Sequence, residues 1–312
     1  MKRASILFVL LSTGCGNWSD SDAQFLAAIP RKEDLTLSAP ASSQSQSLTS
    51  ELSQQKGALG ASSVYSDVVG QVKDINAFVS ALAGGLDSVR TLPPSQRLAD
   101  ARVWGPFDDD KHPGLQVQLV LSRTSTTEYG YAVQFRRKGE QDFVNLIVGV
   151  FHGEKASRGI GGFHIDGVAG KALGVSQEKD ADSADLGYDM RSGTDNSCSL
   201  KAQSTAFSIE YNYLVKPDGG GGVDYTLHKD FVTTTPAQET LAVSARWTAD
   251  RAGFAQATIT GGDLGATVGR HSECWNAAFG QVFSAQNFEC SDPTGICQDG
   301  QRDACVISPD WP

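Results

Sequence analysis

From Leu115 onward apolar and polar residues alternate, and a side-chain period of two commits most of the chain to strands with one buried face. Leu115, Val117, Leu119 and Leu121 alternate with Gln116 and Gln118, and Tyr129, Tyr131, Val133 and Phe135 alternate with Gly130, Ala132 and Gln134. These two runs predict a hairpin across RTSTTE. Residues 143–151, FVNLIVGVF, are apolar at both parities and predict a central strand covered on two sides. Further alternating runs include Phe163 and Ile165, then Phe207, Ile209, Tyr211, Tyr213 and Val215, then Val223, Tyr225 and Leu227. Leu241, Val243, Ala245 and Trp247 follow, and then residues 254–260. The glycine-rich KPDGGGG between two of them is a hairpin signal. Some eight to ten short strands joined by tight turns imply an antiparallel meander, either a curved half-barrel or a closed barrel.

One helix precedes the strands. Val68, Val72, Ile75, Val79, Leu82, Leu86 and Val89 recur at steps of four and three, which holds one apolar face. Pro93 and Pro94 stop it, and Ser62 or Ser63 can cap its start. The spacing also suits a partner helix, but Gly70, Gly84 and Gly85 weaken an isolated coil and favour docking on the chain's own sheet. The expected class is therefore α+β, mainly β, with the amphipathic helix covering one mouth or the concave face. Alternation is shared with integral outer-membrane β-barrels, which stand as an alternative. The long helix, the doubly apolar strand and the terminal ISPDWP favour a body outside the bilayer.

The N-terminus carries Lys2 and Arg3, an apolar run from Ala4 to Leu11, and then small residues before Cys15. This is the layout of a secretory signal over residues 1–14, too short to span a bilayer. LLSTGC resembles the lipobox of bacterial lipoproteins, with Ser12 where that pattern usually carries leucine and Leu11 one place earlier. The resemblance implies a diacylglycerol-modified Cys15 as the mature N-terminus, anchored in the bacterial cell envelope, with palmitate-type chains strong enough together for stable attachment. Gly16 resembles the second position of lipoproteins sent on to the outer membrane. The alternative is an ordinary secreted chain cleaved nearby, with Cys15 free or paired. Residues 41–56, ASSQSQSLTSELSQQK, have linker composition, and 15–59 is expected as a flexible tether reaching ~35 Å, with FLAAIPRKEDLTLSAP adding a strand or docking segment. The helix-plus-sheet domain is expected over 60–280 and a Cys-containing tail over 281–312.

Charge narrows the partners. The chain has 26 Lys and Arg against 36 Asp and Glu, and loss of Lys2 and Arg3 with the signal takes the formal charge from −10 to −12. Nucleic acid is not expected as a partner, and an anionic headgroup surface is mildly repelled. Membrane attachment is assigned to the lipid.

Five cysteines remain: Cys198, Cys274, Cys290, Cys297 and Cys305. In an exported chain they predict two disulfides and one leftover thiol, with the pairing open. No CxxC occurs, and His271 with Cys274 is a lone HxxC, so no metal and no cofactor are expected. GxSxG, HExxH and GxxxxGK[ST] are absent, and His112, His152, His164, His228 and His271 are scattered. FDDDKHPG, with Asp108, Asp109 and Asp110, lacks the spacing of calcium loops and reads as a solvated turn. GIGGFHIDGVAG reads as a bent strand that opens no helix.

Two functional readings follow. The first is a non-catalytic envelope lipoprotein whose sheet binds an apolar small molecule or presents a surface to an envelope protein. Tyr129, Tyr131, Phe207, Tyr211 and Tyr213 are the candidate lining of such a concavity, with core packing as the alternative. The second is a periplasmic hydrolase with a triad assembled from distant residues. The WGP of ARVWGPFDDD and the SECW near the C-terminus resemble uncharacterised bacterial envelope lipoproteins with a helix followed by a sheet, over residues 60–280, and this resemblance implies no activity.

Overall fold

The computed structural model describes residues 19–29, 31, 35–37, 59–61, 63–153, 159–191, 193–232, 234–288 and 290–307. Cys15 lies outside them. The fold is mainly antiparallel β, as the alternation predicts, with more strands than the eight to ten expected.

The strands are β1 (Leu59–Ala61), β2 (Gln96–Arg97), β3 (Ala101–Asp108), β4 (Leu115–Arg123), β5 (Glu128–Arg137), β6 (Val144–His152), β7 (Ile160–Asp166) and β8 (Ser183–Asp189). They continue as β9 (Asn196–Gln203), β10 (Phe207–Val215), β11 (Gly221–Lys229), β12 (Glu239–Trp247), β13 (Gly253–Gly261), β14 (Gly269–Trp275), β15 (Gly280–Gln286) and β16 (Cys297–Gly300). Among the described residues the strands are accompanied by the α-helices α1 (Asp20–Ala27), α2 (Ser63–Asp87) and α3 (Gly167–Leu173). From β2 to β15 each strand pairs with its successor, and β1 and β16 share the far side of β15. The sheet is open, so the closed-barrel option is set aside. Its edges are two- to four-residue strands, which offer little ladder for further pairing.

One buried row shows why the alternation works. Tyr129, Phe151, Gly161, Tyr188, Cys198, Tyr213, Val223, Ala245, Ala255 and Glu273 are direct cross-strand neighbours from β5 to β14, all pointing to the same face. Fifteen strands at ~4.8 Å spacing would stretch roughly 65 Å if flat, yet one contiguous core joins Trp104 of β3 to Trp275 of β14 through helical Phe25, Val68, Val72, Ile75 and Val79. The sheet must therefore curl around the helices. The predicted stripe of α2 is what it encloses: Val68, Val72, Ile75, Val79, Leu86 and Val89 are buried, the Leu82 side chain lies outside those described, and a 3-10 turn (Ser88–Thr91) ends the helix ahead of Pro93.

Close packing requires glycine at two inner positions. A Cβ on Gly149 would lie 2.4 Å from Cζ of Tyr131, and one on Gly161 would lie 2.3 Å from the Tyr188 hydroxyl. Large rings thus fill the space that glycines leave across the ladder. Gly149→Ala is expected to cost about 1–3 kcal/mol through overpacking, whereas Gly70→Ala, with nothing within 4 Å on α2, is expected to stabilise by about 0.5–1 kcal/mol through helix propensity. Urea midpoints of the two variants test this, and equal shifts of the same sign would refute it.

Four expectations need correction. The 15–59 tether is interrupted by α1, which starts at Asp20, and the docking segment expected at FLAAIPRKEDLTLSAP packs as such: Phe25, Ala28, Ile29, Leu35 and Leu37 are buried in the main core because they are apolar on one side of a capped helix and the segment after it. Asn76 of α2 clamps that segment, its amide donating to the Leu37 carbonyl (2.8 Å) and accepting from the Leu37 N–H (2.7 Å). The linker-like residues 41–56 lie outside the described residues. The boundary at 280/281 cuts β15, and the tail joins the sheet through β16. β6 is covered on one side only, since the outward rows of its neighbours are not overlaid there, leaving Val144, Val148 and Val150 exposed. Finally, GIGGFHIDGVAG does open a helix, because the Asp166 carboxylate accepts from the Ala169 N–H (2.9 Å) and caps α3.

Candidate binding groove

The curled sheet divides the chain into a filled inner face and an outer face, and the predicted site residues fall mostly on the first. Tyr129, Tyr131, Tyr211 and Tyr213 are buried among one another, Phe163, Trp247 and the helices. Phe207, at the start of β10, is only half-buried and lies outside that core. The inner concavity expected for an apolar ligand is occupied by α1 and α2, so the four tyrosines serve as core. Burial raises the Tyr211 phenol's pKa, assisted by Cys198, Tyr213 and Tyr225 nearby.

The cysteines pair as Cys274–Cys305 and Cys290–Cys297, and Cys198 is the leftover thiol, buried on the inner row. Burial pushes that thiol up to about 12, which keeps it protonated and unreactive. The HxxC pair is split by the strand period: Cys274 faces outward into its disulfide, while His271 points inward to Glu273 (3.1 Å). Three further histidines sit in direct cross-strand pairs, His152 with Glu128, His164 with Asp185 and His228 with Thr240. His112 closes the FDDDKHPG turn onto Asp109 (2.7 Å), and Asp108 is paired with Lys138 (2.8 Å). Among the described residues no three His, Cys, Asp or Glu side chains gather as a metal cluster. The buried Glu239 carboxylate accepts from the Phe231, Val232 and Asp263 N–H groups, and those bonds, Phe231 foremost, lower its pKa while fastening the loop before β12 to the turn after β13.

Among the described residues a groove of about 1010 Å³ lies over the ends of β7 to β12. Its floor follows one outward row: Ile160, Asp189, Ser197, Leu214, Gly222 and Arg246 are successive cross-strand neighbours. Ser199, Asn212 and Asp224 form the next row inward along the strands, and Lys216, Asp218 and Thr248 stand in the turns at the rim. Gly222 is required here for a reason beyond the turn: a Cβ would meet Cδ of Arg246 at 2.6 Å, so its absence lets Arg246 lie across the strand to Asp224 (2.7 Å). Arg246 also donates to the carbonyls of Ala245 and Val223, which fixes the guanidinium in place. Asp189 is held by Arg191 in a two-pronged contact, and that guanidinium lowers its pKa.

The same outward row continues past the groove to Phe254, Cys274 and Phe283. There the C-terminal tail folds back, with Ile296, Cys305 and Ile307 packed on Phe254 and Phe283, and Ile307 forming the end wall of the groove. The Cys274–Cys305 bridge therefore positions a wall of the site. Alternation identifies which residues face outward, but the groove draws one or two side chains from each of six strands, and no local run marks it. The glycine run at 219–222 is the one available signal, and as sequence it reads as a turn alone.

No protein-family model matches the chain, and no curated protein and no solved structure shows a significant match.

Proposed function

We propose that the chain is a lipoprotein of the bacterial cell envelope, anchored through Cys15, whose body works by binding an extended polypeptide segment of another envelope protein in the outer groove. The observation that carries this reading is the division of the two faces: side chains of α1 and α2 pack into the inner core, while the floor of the groove follows an outward row of the sheet. Six strands give the groove a run of roughly 24 Å, the length of about seven extended residues. Its apolar ends, Ile160 and Ile307, the apolar Leu214 between them, the fixed Arg246–Asp224 pair and the rim charges Lys216 and Asp218 suit side chains and backbone of an extended peptide better than a single hydrocarbon ligand.

Two experiments test the two halves. Cys15→Ser is expected to abolish incorporation of labelled fatty acid and to move the protein from the membrane to the soluble fraction, and unchanged membrane retention would overturn the anchor. A photo-crosslinking residue at Leu214 is expected to yield one discrete adduct with a second envelope protein in intact cells. Arg246→Glu is expected to reduce that adduct at least tenfold. A crosslinking pattern indifferent to Arg246 would remove the groove from the reading.

A further inference from the structure

We infer that the body rests directly on the bilayer through the corner formed by α1 and the β2–β3 turn, rather than hanging from a long tether; this rests on lipidation of Cys15. The chain length sets the limit. Four peptide units separate Cys15 from Ser19, so the two Cα atoms are at most ~15 Å apart whatever the backbone does between them. Ser19 is not free to swing away. It caps α1 in a reciprocal box with Asp22, whose carboxylate is bound by Arg97 of β2 (3.0 Å) and Arg102 of β3 (2.6 Å), while Phe25 of the same helix is buried in the core. The acyl attachment point therefore stays close to this corner.

The corner has the chemistry of a bilayer-facing edge. Leu98 is 56% exposed at the tip of the β2–β3 turn, which its N–H closes onto the Ala101 carbonyl (2.9 Å), and Leu92 is 40% exposed just before β2. The Leu92 carbonyl accepts from Trp104 of β3, so both leucines belong to the same edge. Arg97 lies beside them, and Arg123 pairs with Asp100 of the turn (3.6 Å) and reaches Gln24 of α1. Exposed leucines flanked by guanidiniums on long apolar stems match the boundary between acyl chains and headgroups. The acidic body as a whole does not. A short lipid leash that brings this one edge to the surface reconciles the two.

The test uses the lipidated full-length protein, purified from membranes and reconstituted into vesicles of phosphatidylethanolamine and phosphatidylglycerol at about 3:1, a composition chosen to include anionic headgroups. A nitroxide is placed at Ala99→Cys in the corner turn, or at Ala206→Cys in the β9–β10 turn at the opposite ends of the strands. Relaxation by oxygen against an aqueous nickel chelate is then compared. The label at 99 is expected to be oxygen-favoured and the label at 206 nickel-favoured, and Leu92→Ser with Leu98→Ser is expected to bring the ratio at 99 to that at 206. Water-like ratios at both positions, in protein whose mass confirms acyl chains on Cys15, overturn the resting geometry and leave the anchor standing. A mass without acyl chains removes the anchor and this inference together.

Discussion

Asp22→Ala is expected to destabilise the protein by about 3–5 kcal/mol, the loss typical of removing one partner from a buried ion pair. Asp22 is fully buried and Arg102 nearly so, and the Arg102 Nε lies 2.6 Å from the carboxylate. Without that carboxylate, Arg102 keeps its bonds to the Leu98 and Ala101 carbonyls and the Ser21 hydroxyl, but its charge is left buried and unbalanced. The Ser19 end of α1 also loses half of its capping box. Urea unfolding measures the loss, and amide exchange should show α1 opening first. Recovery of most of the stability in Asp22→Ala with Arg102→Met would identify the orphaned charge as the cause, and a loss under 1 kcal/mol in the single variant would falsify the account. The same residue gives a pH dependence of defined sign. Burial opposes ionisation of Asp22, but the Ser19 amide, Arg97, Arg102 and the Ser19 hydroxyl outweigh it and hold the carboxyl well below the usual carboxylate range. A depressed folded value means that the contribution is complete above the ordinary carboxylate value of ~3.9 and fades as pH falls below it. The stability gap between the native chain and Asp22→Asn should therefore be widest near neutrality and narrow steadily in acid.

Replacing Cys274 and Cys305 together with alanine is expected to cost about 3–4 kcal/mol, the closure entropy of a 31-residue separation in the unfolded chain. The Cys290–Cys297 loop spans seven residues and is worth about 2 kcal/mol on the same basis. The ordering is checked by thermal unfolding of the two double variants without reductant, and a larger loss from the short loop would contradict it. The long bridge has a second effect that the short one lacks. It holds Ile307 at the end of the groove and keeps the tail over Phe254 and Phe283. Its loss should therefore expose apolar surface, read as increased binding of a hydrophobic dye, and weaken crosslinking from Leu214 at temperatures where the sheet remains folded.

The sequence discloses elements whose pattern is local. The α2 stripe, the β4–β5 hairpin and the turn at KPDGGGG follow from periods of 3.6 and 2 and from glycine placement, and all three stand as expected. β8 and β9, SADLGYD and NSCSLKAQ, do alternate, but their inward rows mix the small Ala184, Cys198 and Ala202 with Leu186, Tyr188 and Leu200, so the apolar signal is weaker than in the neighbouring strands. The apolar double face of β6 misleads for the opposite reason, since valines at Val148 and Val150 suit a strand backbone whether or not anything covers them. The aromatic rows are visible as sequence, but whether they line a space or fill one depends on where two helices far from them in the chain come to rest. The groove is harder still: Arg246 is a single outward arginine until Gly222, on the neighbouring strand, gives it room to turn.

The order of strands in the sheet carries a consequence for how the chain is made. Nearly every pairing joins sequence neighbours, so the meander can zip up progressively as successive hairpins emerge. The helix at its centre follows the opposite schedule. α2 ends at Asp87, whereas the strands that close the core, β13 and β14, begin at Gly253 and Gly269. For more than half of the chain's synthesis its apolar stripe exists without its final cover, and β1, just ahead of it, waits for β15. A nascent chain built in this order presents a greasy helix early and completes its shelter last.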